Sequence, residues 1–427
     1  MFKNKMLKNI VMLMSGTLGS QVIAVLLTPI ITRLFGPVEF GLLGQFLAIM
    51  MVFGPVAALT FPSAIVLPKL EGEARAIAKL SLITSGLLSI LVFILLSIFL
   101  SPIGTILKLE ALGGYLMLIP VGMFFMACQQ VCEQWLIRNK EFKLLSKVAI
   151  VQSFVLNGAK VGGGAVAPVG IVLVICTIIG YLLHSSLLYL FSKNKIVPTS
   201  KDTTGNIGLL FLARKYIDFP LFRAPQAFLN LSSQSIPILM LAGFFGPAAA
   251  GFYTLARTIV ALPANLMGKA VGDVFYPRIA EASTNSEPIL QLFTKATLAL
   301  MVVGLPPYLI IFLYGEWLFS IIFGGEWIEA GFFAGWLSIW IYTMFITSVC
   351  TNTLAVINGQ RFNLLFTIIK VIFRVLSIYA CVYFSLGAGE TVMIFSVVSA
   401  VINVIFMVII FYMVKEYDRN KWNICAA

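Results

Sequence analysis

The chain has 427 residues, 60% of them hydrophobic and only 11% charged, with a mean hydropathy of +1.01 and a formal net charge of +12. A soluble domain carries about 25% charged residues, so the composition excludes a soluble globular protein and indicates an all-α polytopic membrane protein. The apolar runs are long enough to cross a bilayer as helices, and the short alternating segments of an outer-membrane barrel are absent.

Twelve spans are predicted in chain order, at 10–32, 41–67, 79–101, 112–137, 146–166, 169–191, 219–243, 251–275, 291–314, 331–357, 363–385 and 391–414. Lys3, Lys5 and Lys8 ahead of the first run imitate a signal peptide. The run continues past Leu27 with no small-x-small cleavage site, so it reads as a span. The longest link, 192–218, is polar and basic. It divides the chain into an N-terminal six-helix bundle (1–191), a cytoplasmic linker (192–218), a C-terminal six-helix bundle (219–414) and a cytoplasmic tail (415–427).

The basic residues orient these spans. Of the 29 Lys and Arg, only Arg33 and Lys108 fall in outer links once both termini and the links after even-numbered spans are assigned to the cytoplasm. Lys160, Arg223, Arg257, Lys269, Lys370 and Arg374 lie within spans, and all the others are inside. This asymmetry predicts both termini in the cytoplasm. It also absorbs the positive net charge without a nucleic-acid partner.

The halves echo one another. Phe35-Gly36-Pro37 through Gly41 follows the first span, and Phe245-Gly246-Pro247 through Gly251 follows the seventh. Leu67-Pro68-Lys69-Leu70 corresponds to Tyr276-Pro277-Arg278-Ile279, and Asn139-Lys140-Glu141-Phe142 to Gly359-Gln360-Arg361-Phe362. Six spans per repeat make the halves parallel, a build shared by many secondary transporters with a substrate site at the repeat interface.

A cation at the centre of a spanning helix costs about 2.5–3.5 kcal/mol. Six facing lipid would cost about 15–20 kcal/mol, more than the ~5–15 kcal/mol net stability of a typical fold. These six are therefore expected to face something wet or negative. Polar residues share helix faces with them: Arg223, Gln226, Asn230 and Gln234 on span seven; Thr367, Lys370, Arg374 and Ser377 on span eleven; Gln152, Asn157 and Lys160 on span five. Such stripes line a wet lumen or glue helices together. The intramembrane acids are Glu133, Asp218 and Asp273. Asp273 stands four residues after Lys269, at ion-pair spacing, and Asp218 lies near Arg223. Glu133 and Asp273 are candidates for an ion-coupling site, against a plain inner-edge role for Glu133; His184 reads as packing. Trp317, Trp327, Trp336 and Trp340 read as interfacial anchors.

Cofactor and metal sites are not expected. Cys128-x-x-x-Cys132 has no His or Cys partner nearby, and the thiols sit in apolar runs as buried cysteines commonly do. Gly162-Gly163-Gly164 lacks the Gly-Lys-Ser/Thr of a P-loop. No link exceeds about thirty residues, so the large outer domains of lipid-linked glycosyltransferases and polysaccharide polymerases are missing and no enzyme signature emerges.

Residues 9–41, above all Leu27-Thr28-Pro29-Ile30-Ile31-Thr32-Arg33-Leu34-Phe35-Gly36-Pro37-Val38-Glu39-Phe40-Gly41, carry a resemblance. With the Phe-Gly-Pro echo and the twelve-span plan, the chain resembles the Wzx-type O-antigen flippases of the multidrug/oligosaccharidyl-lipid/polysaccharide exporter superfamily. The resemblance implies a MATE-like pair of six-helix bundles around a central cavity with alternating access. It implies a polyprenyl-diphosphate-linked oligosaccharide as cargo, moved from the inner to the outer leaflet of the cytoplasmic membrane. Membrane lipids and an H+ or Na+ coupling ion would be further partners, with polysaccharide polymerase and chain-length proteins nearby. The cargo's diphosphate suits the cations, so Arg257, Lys370 and Arg374 are expected to neutralise it, with Lys160 and Arg223 lining the cavity. Gln226, Asn230, Gln234, Asn157 and Thr367 would bond sugar hydroxyls. A multidrug or organic-cation exporter would want buried carboxylates instead, and a non-transporting scaffold of a glycan-assembly complex is the third reading.

Overall fold

In the computed structural model of the protein, the backbone is described for residues 2–106, 110–192, 208–284, 287–357 and 359–426. Within these, the side chains of 2–15, 103, 106, 266–274, 276, 277, 280, 283, 284, 355, 360 and 420–426 are not described. The described residues form helices and short helical turns joined by brief connections. Each predicted span overlaps a helix. Among the described residues, ten helical segments are long and apolar enough to cross a membrane, and the protein is a multi-pass membrane protein.

The chain divides into two compact units, Met1–Ala250 and Gly251–Ala427. In the first, α1 (Phe2–Leu34) packs along α5 (Phe142–Val166), and α4 (Ile119–Arg138) packs against both α3 (Glu71–Ile106) and α6 (Gly170–Phe191). The helix α2 (Pro37–Phe53) packs against α6 and also along α8 (Ala224–Phe245). That second contact explains why the division falls after Ala250 rather than within the 192–218 link: the seventh predicted span is held by the first unit. The short helix α7 (Leu209–Lys215) is tied to the start of α3, where Glu73 takes an ion pair from Lys215 and a hydrogen bond from the Tyr216 hydroxyl at 3.0 Å.

The second predicted span is not one helix. α2 has 17 residues and is about 25 Å long. Gly54 and Pro55 end it, and the chain turns through Leu59 and Thr60, whose φ values are 49° and 58°, into a 3-10 turn over Phe61–Ala64. Ala57, Ala58, Phe61, Ala64 and Ile65 are buried, so this backbone needs internal partners. Gln130 Nε2 donates to the Gly54 carbonyl at 3.3 Å, Thr60 Oγ1 to that of Phe219 at 3.1 Å and Arg138 Nη1 to that of Ile65 at 3.0 Å.

The two Phe-Gly-Pro segments each join one helix to the next. Gly36 caps the start of α2 and Gly246 the end of α8, and Pro37 and Pro247 each open the following helix, where a missing N–H costs nothing. Gly246 sits at φ 88°, a conformation that favours glycine. The two segments also meet: a Cβ on Gly41 would lie 1.8 Å from the Pro247 carbonyl oxygen.

The second unit is built on α9 (Pro247–Thr284), α10 (Ile289–Phe323), α11 (Ile328–Ile346), α12 (Ser348–Val356), α13 (Gln360–Tyr383) and α14 (Ala388–Ala426). α11 packs against both α10 and α14, and α13 lies along α14. Aromatic rings bring in α9: Phe252 meets Trp327 and Phe333 at 6.0 and 6.1 Å, and Tyr253 meets Phe395 at 6.1 Å. Asp418 near the end of α14 caps α10, accepting the backbone N–H groups of Ile289 and Leu290 at 3.2 and 2.8 Å.

Candidate functional site

Three of the six intramembrane cations come together in the second unit. Lys370 and Arg374 are one helical turn apart on α13, and Arg257 on α9 lies within electrostatic reach of Arg374. Arg374 interacts electrostatically with both Lys370 and Arg257. Arg374 is 6% exposed, and its Nε–H donates to Ser399 Oγ on α14 at 3.2 Å. Its guanidinium carbon lies 4.6 Å from the ring centroid of Trp340 on α11. Lys370 Nζ is 4.1 Å from the Phe406 ring centroid and 5.5 Å from that of Phe366. Tyr253, fully buried on α9, interacts electrostatically with both arginines.

The chemistry of this cluster is specific. The aromatic faces attract the cations through their quadrupoles and make partial burial tolerable, but three like charges still repel. The buried indole N–H of Trp340 and hydroxyl of Ser396 have no hydrogen-bond partner among the described residues. A patch with several cations and spare donors suits an anion with oxygen acceptors, such as phosphate.

Trp340 corrects the sequence reading. It is 1% exposed, as is Trp327, so neither is an interfacial anchor. Trp317, 62% exposed, is compatible with one. The aromatic faces under Lys370 and Arg374 were missed because Trp340 reads in sequence as an interfacial anchor and Phe366 and Phe406 as ordinary apolar positions.

The other predicted site residues lie elsewhere. Lys160, half-buried on α5 of the first unit, lies within electrostatic reach of Cys176 on α6. Arg223 ends a π-helical turn over Phe219–Arg223, is exposed, and covers the Phe219 ring at 5.1 Å. Among the described residues no ion pair joins it to Asp218, which stands at the other end of that turn. Gln226 and Asn230 are exposed on α8 and Gln234 is half-buried. Asn157 is buried and its Nδ2 donates to the Ser153 carbonyl at 2.8 Å, while Ser153 Oγ donates to the Ser20 carbonyl at 2.7 Å. That corner ties α5 to α1 and is helix glue in form. Thr367 Oγ1 donates to the Asn363 carbonyl of its own helix at 2.8 Å. The side chains of Lys269 and Asp273, the expected ion pair, lie outside the described residues. Cys128, Cys132, Cys176, Cys350 and Cys381 are free thiols.

Glu133 has a partner that the sequence did not suggest. Its Oε1 accepts the Gln129 amide at 2.8 Å and lies 3.6 Å from His184 Nε2 on α6.

A family sequence model described as polysaccharide biosynthesis protein matches residues 30–331. The amylovoran biosynthesis protein AmsL of Erwinia amylovora is 25% identical over 242 residues, 56% of this chain and 60% of that relative's length. Among solved structures, a multidrug resistance MATE family transporter of the MOP superfamily, in an inward-facing conformation, superposes with TM-score 0.74 at 14% identity over 94% of this chain and 96% of its own. The lipid II flippase MurJ, in an inward closed conformation, gives TM-score 0.73 at 14% identity over 96% of this chain and 90% of its own. At these identities the likeness establishes a shared fold.

Proposed function

This chain belongs to the polysaccharide biosynthesis protein family, and from that premise we propose that it is a flippase for a polyprenyl-diphosphate-linked oligosaccharide. It moves an O-antigen or other surface-polysaccharide repeat unit from the inner to the outer leaflet of the cytoplasmic membrane by alternating access, with both termini in the cytoplasm. The observation that carries this reading is the cluster of Arg257, Lys370 and Arg374, with its aromatic faces and the open indole N–H of Trp340. A diphosphate must cross a low-dielectric region, and guanidinium forks and an ammonium group offset its charge there.

Lys160 and Arg223 would meet the cargo at other stages of its passage, and Gln226, Asn230, Gln234 and Thr367 would bond sugar hydroxyls. Asn157 fits that role less well, because its described contact is to its own helix. Polysaccharide polymerase and chain-length proteins are the proposed neighbours of the exported product. An exporter of organic cations would need carboxylates where this site gathers cations.

The test is charge removal. Arg257→Ala and Arg374→Ala are expected to abolish surface glycan, leave protein level normal and accumulate the lipid-linked precursor in the inner leaflet. Full glycan export in both variants would overturn the assignment. A deletion strain without such accumulation would point to a scaffold instead.

A further inference from the structure

The pair formed by Glu133 on α4 and His184 on α6 has no place in the anion site. His184 is 9% exposed and Glu133 is half-buried. Both line a cavity of about 280 Å³ in the first unit, together with Thr17, Ile137, Leu145, Ser146 and Ala149. At about 30 Å³ per water molecule, that volume holds several. An ionisable residue kept within a spanning helix is expensive, and function is the usual reason for it.

We propose that Glu133 and His184 together form a proton-binding site that couples translocation to the transmembrane proton gradient. The inference rests on the flippase reading and adds its driving force.

The surroundings favour a proton over a metal cation. The contacts described for the carboxylate are an amide N–H from Gln129 and an imidazole nitrogen. Hard cations want a shell of oxygen ligands, and among the described residues no group of three or more His, Cys, Asp and Glu could hold a metal ion.

Lys160 of α5 is half-buried beside Cys176 of α6, and several other neighbouring charges are paired or exposed. On α4 itself, Cys132 lies within electrostatic reach of Glu133, and Arg138 donates to the carbonyls of Ile65 and Lys69. The α5 and α1 residues lining the cavity, Leu145, Ser146, Ala149 and Thr17, carry no charge. Lys143 and Lys147 of α5 are exposed, the latter over the Phe191 ring. Glu73 of α3 is paired with Lys215, and Glu39 of α2 lies in the first turn of that helix.

The charge states give the coupling. Holding one proton, the pair is neutral overall, as carboxylate with imidazolium or as carboxyl with imidazole. Holding none, it carries one negative charge. An uncompensated charge is costly in a low-dielectric, water-poor site, so closing the cavity favours the loaded pair and opening it to water lets the proton leave. The proton moves between Glu133 Oε1, His184 Nε2 and cavity water, and no other bond changes.

The experiment reconstitutes the full chain in liposomes with lipid-linked oligosaccharide extracted from cells lacking this protein. Transfer between leaflets is read with a membrane-impermeant oxidant of sugars, under imposed pH or sodium gradients. A one-unit pH gradient is expected to bias the leaflet distribution by up to about tenfold per proton. Glu133→Gln and His184→Gln are expected to lose that response, and Glu133→Asp to keep it. A pH response surviving in both neutral variants, a response to sodium alone, or transfer indifferent to any gradient would overturn the inference and leave the flippase reading standing. No transfer by the natural chain would overturn both. Infrared titration of the purified variants supplies a readout independent of transport. A protonated-carboxyl band that is lost in Glu133→Gln and titrates at a different pH in His184→Gln supports the pair; a band insensitive to both changes overturns it.

Discussion

Arg374 lies against the face of Trp340, with 4.6 Å between guanidinium carbon and ring centroid, and the same guanidinium donates from Nε to Ser399 at 3.2 Å. Three helices, α11, α13 and α14, therefore fix one cation. The ring face and the Nε bond together set the plane of the guanidinium.

Trp340→Phe and Trp340→Ala separate the two roles of that ring. A cation over an aromatic face gains about 0.5–2 kcal/mol, and phenylalanine keeps part of it. Trp340→Phe is expected to lower the thermal midpoint slightly and reduce glycan export in part. Trp340→Ala also opens a cavity and is expected to cost about 3–5 kcal/mol. Thermal unfolding in detergent, read beside surface-glycan levels, checks both.

Gly41 faces a backbone carbonyl that cannot rotate away. With a Cβ only 1.8 Å from the Pro247 oxygen, Gly41→Ala forces α2 away from the Pro247 backbone. Overpacking of this kind costs about 1–3 kcal/mol or more, and the variant is expected to lose monodisperse protein on size-exclusion chromatography. Gly158→Ala on α5 is the control. Nothing lies within 4 Å of its added Cβ, and the change is expected to be neutral or to add up to about 1 kcal/mol of helix stability.

Asp418 satisfies two backbone donors at the start of α10. Removing such a cap costs about 0.5–2 kcal/mol. Asp418→Ala is expected to lower the thermal midpoint and speed hydrogen exchange at Leu290, and Asp418→Asn, which keeps one acceptor, to do so less.

Gln45 is 1% exposed on α2, and both its amide atoms lack hydrogen-bond partners among the described residues. Leaving such groups unsatisfied costs about 1–3 kcal/mol. Gln45→Leu is expected to raise the thermal midpoint. A lower midpoint would mean that the amide is paired in the native protein.

The helical plan was legible because apolar length and polar interruption suffice to mark spans in lipid. The convergence of Lys370 and Arg374 was legible too, since a spacing of four on one helix fixes their shared face. What periodicity could not carry was partnership across helices. Arg374 with Trp340, Glu133 with His184 and Asp418 with Leu290 are separated by 34, 51 and 128 positions. Local sequence says nothing about such contacts. The break after Phe53 was blurred for another reason: Gly54, Pro55 and Pro62 stand among residues apolar enough to extend a span, and hydropathy alone does not register the turn.

The irregular stretch from Gly54 to Ile65 has a consequence for engineering and for decay. A regular helix keeps its backbone bonds through a change of side chain, but this stretch, beside its own turn bonds, takes donors from Gln130 at the Gly54 carbonyl and from Arg138 at the Ile65 carbonyl, and sends the Thr60 hydroxyl to the Phe219 carbonyl. A one-residue insertion here would shift these three contacts relative to one another. Length variation should accordingly be rare within this stretch among natural variants, and a deep insertion–deletion scan should record it as a trough of intolerance inside otherwise permissive apolar sequence.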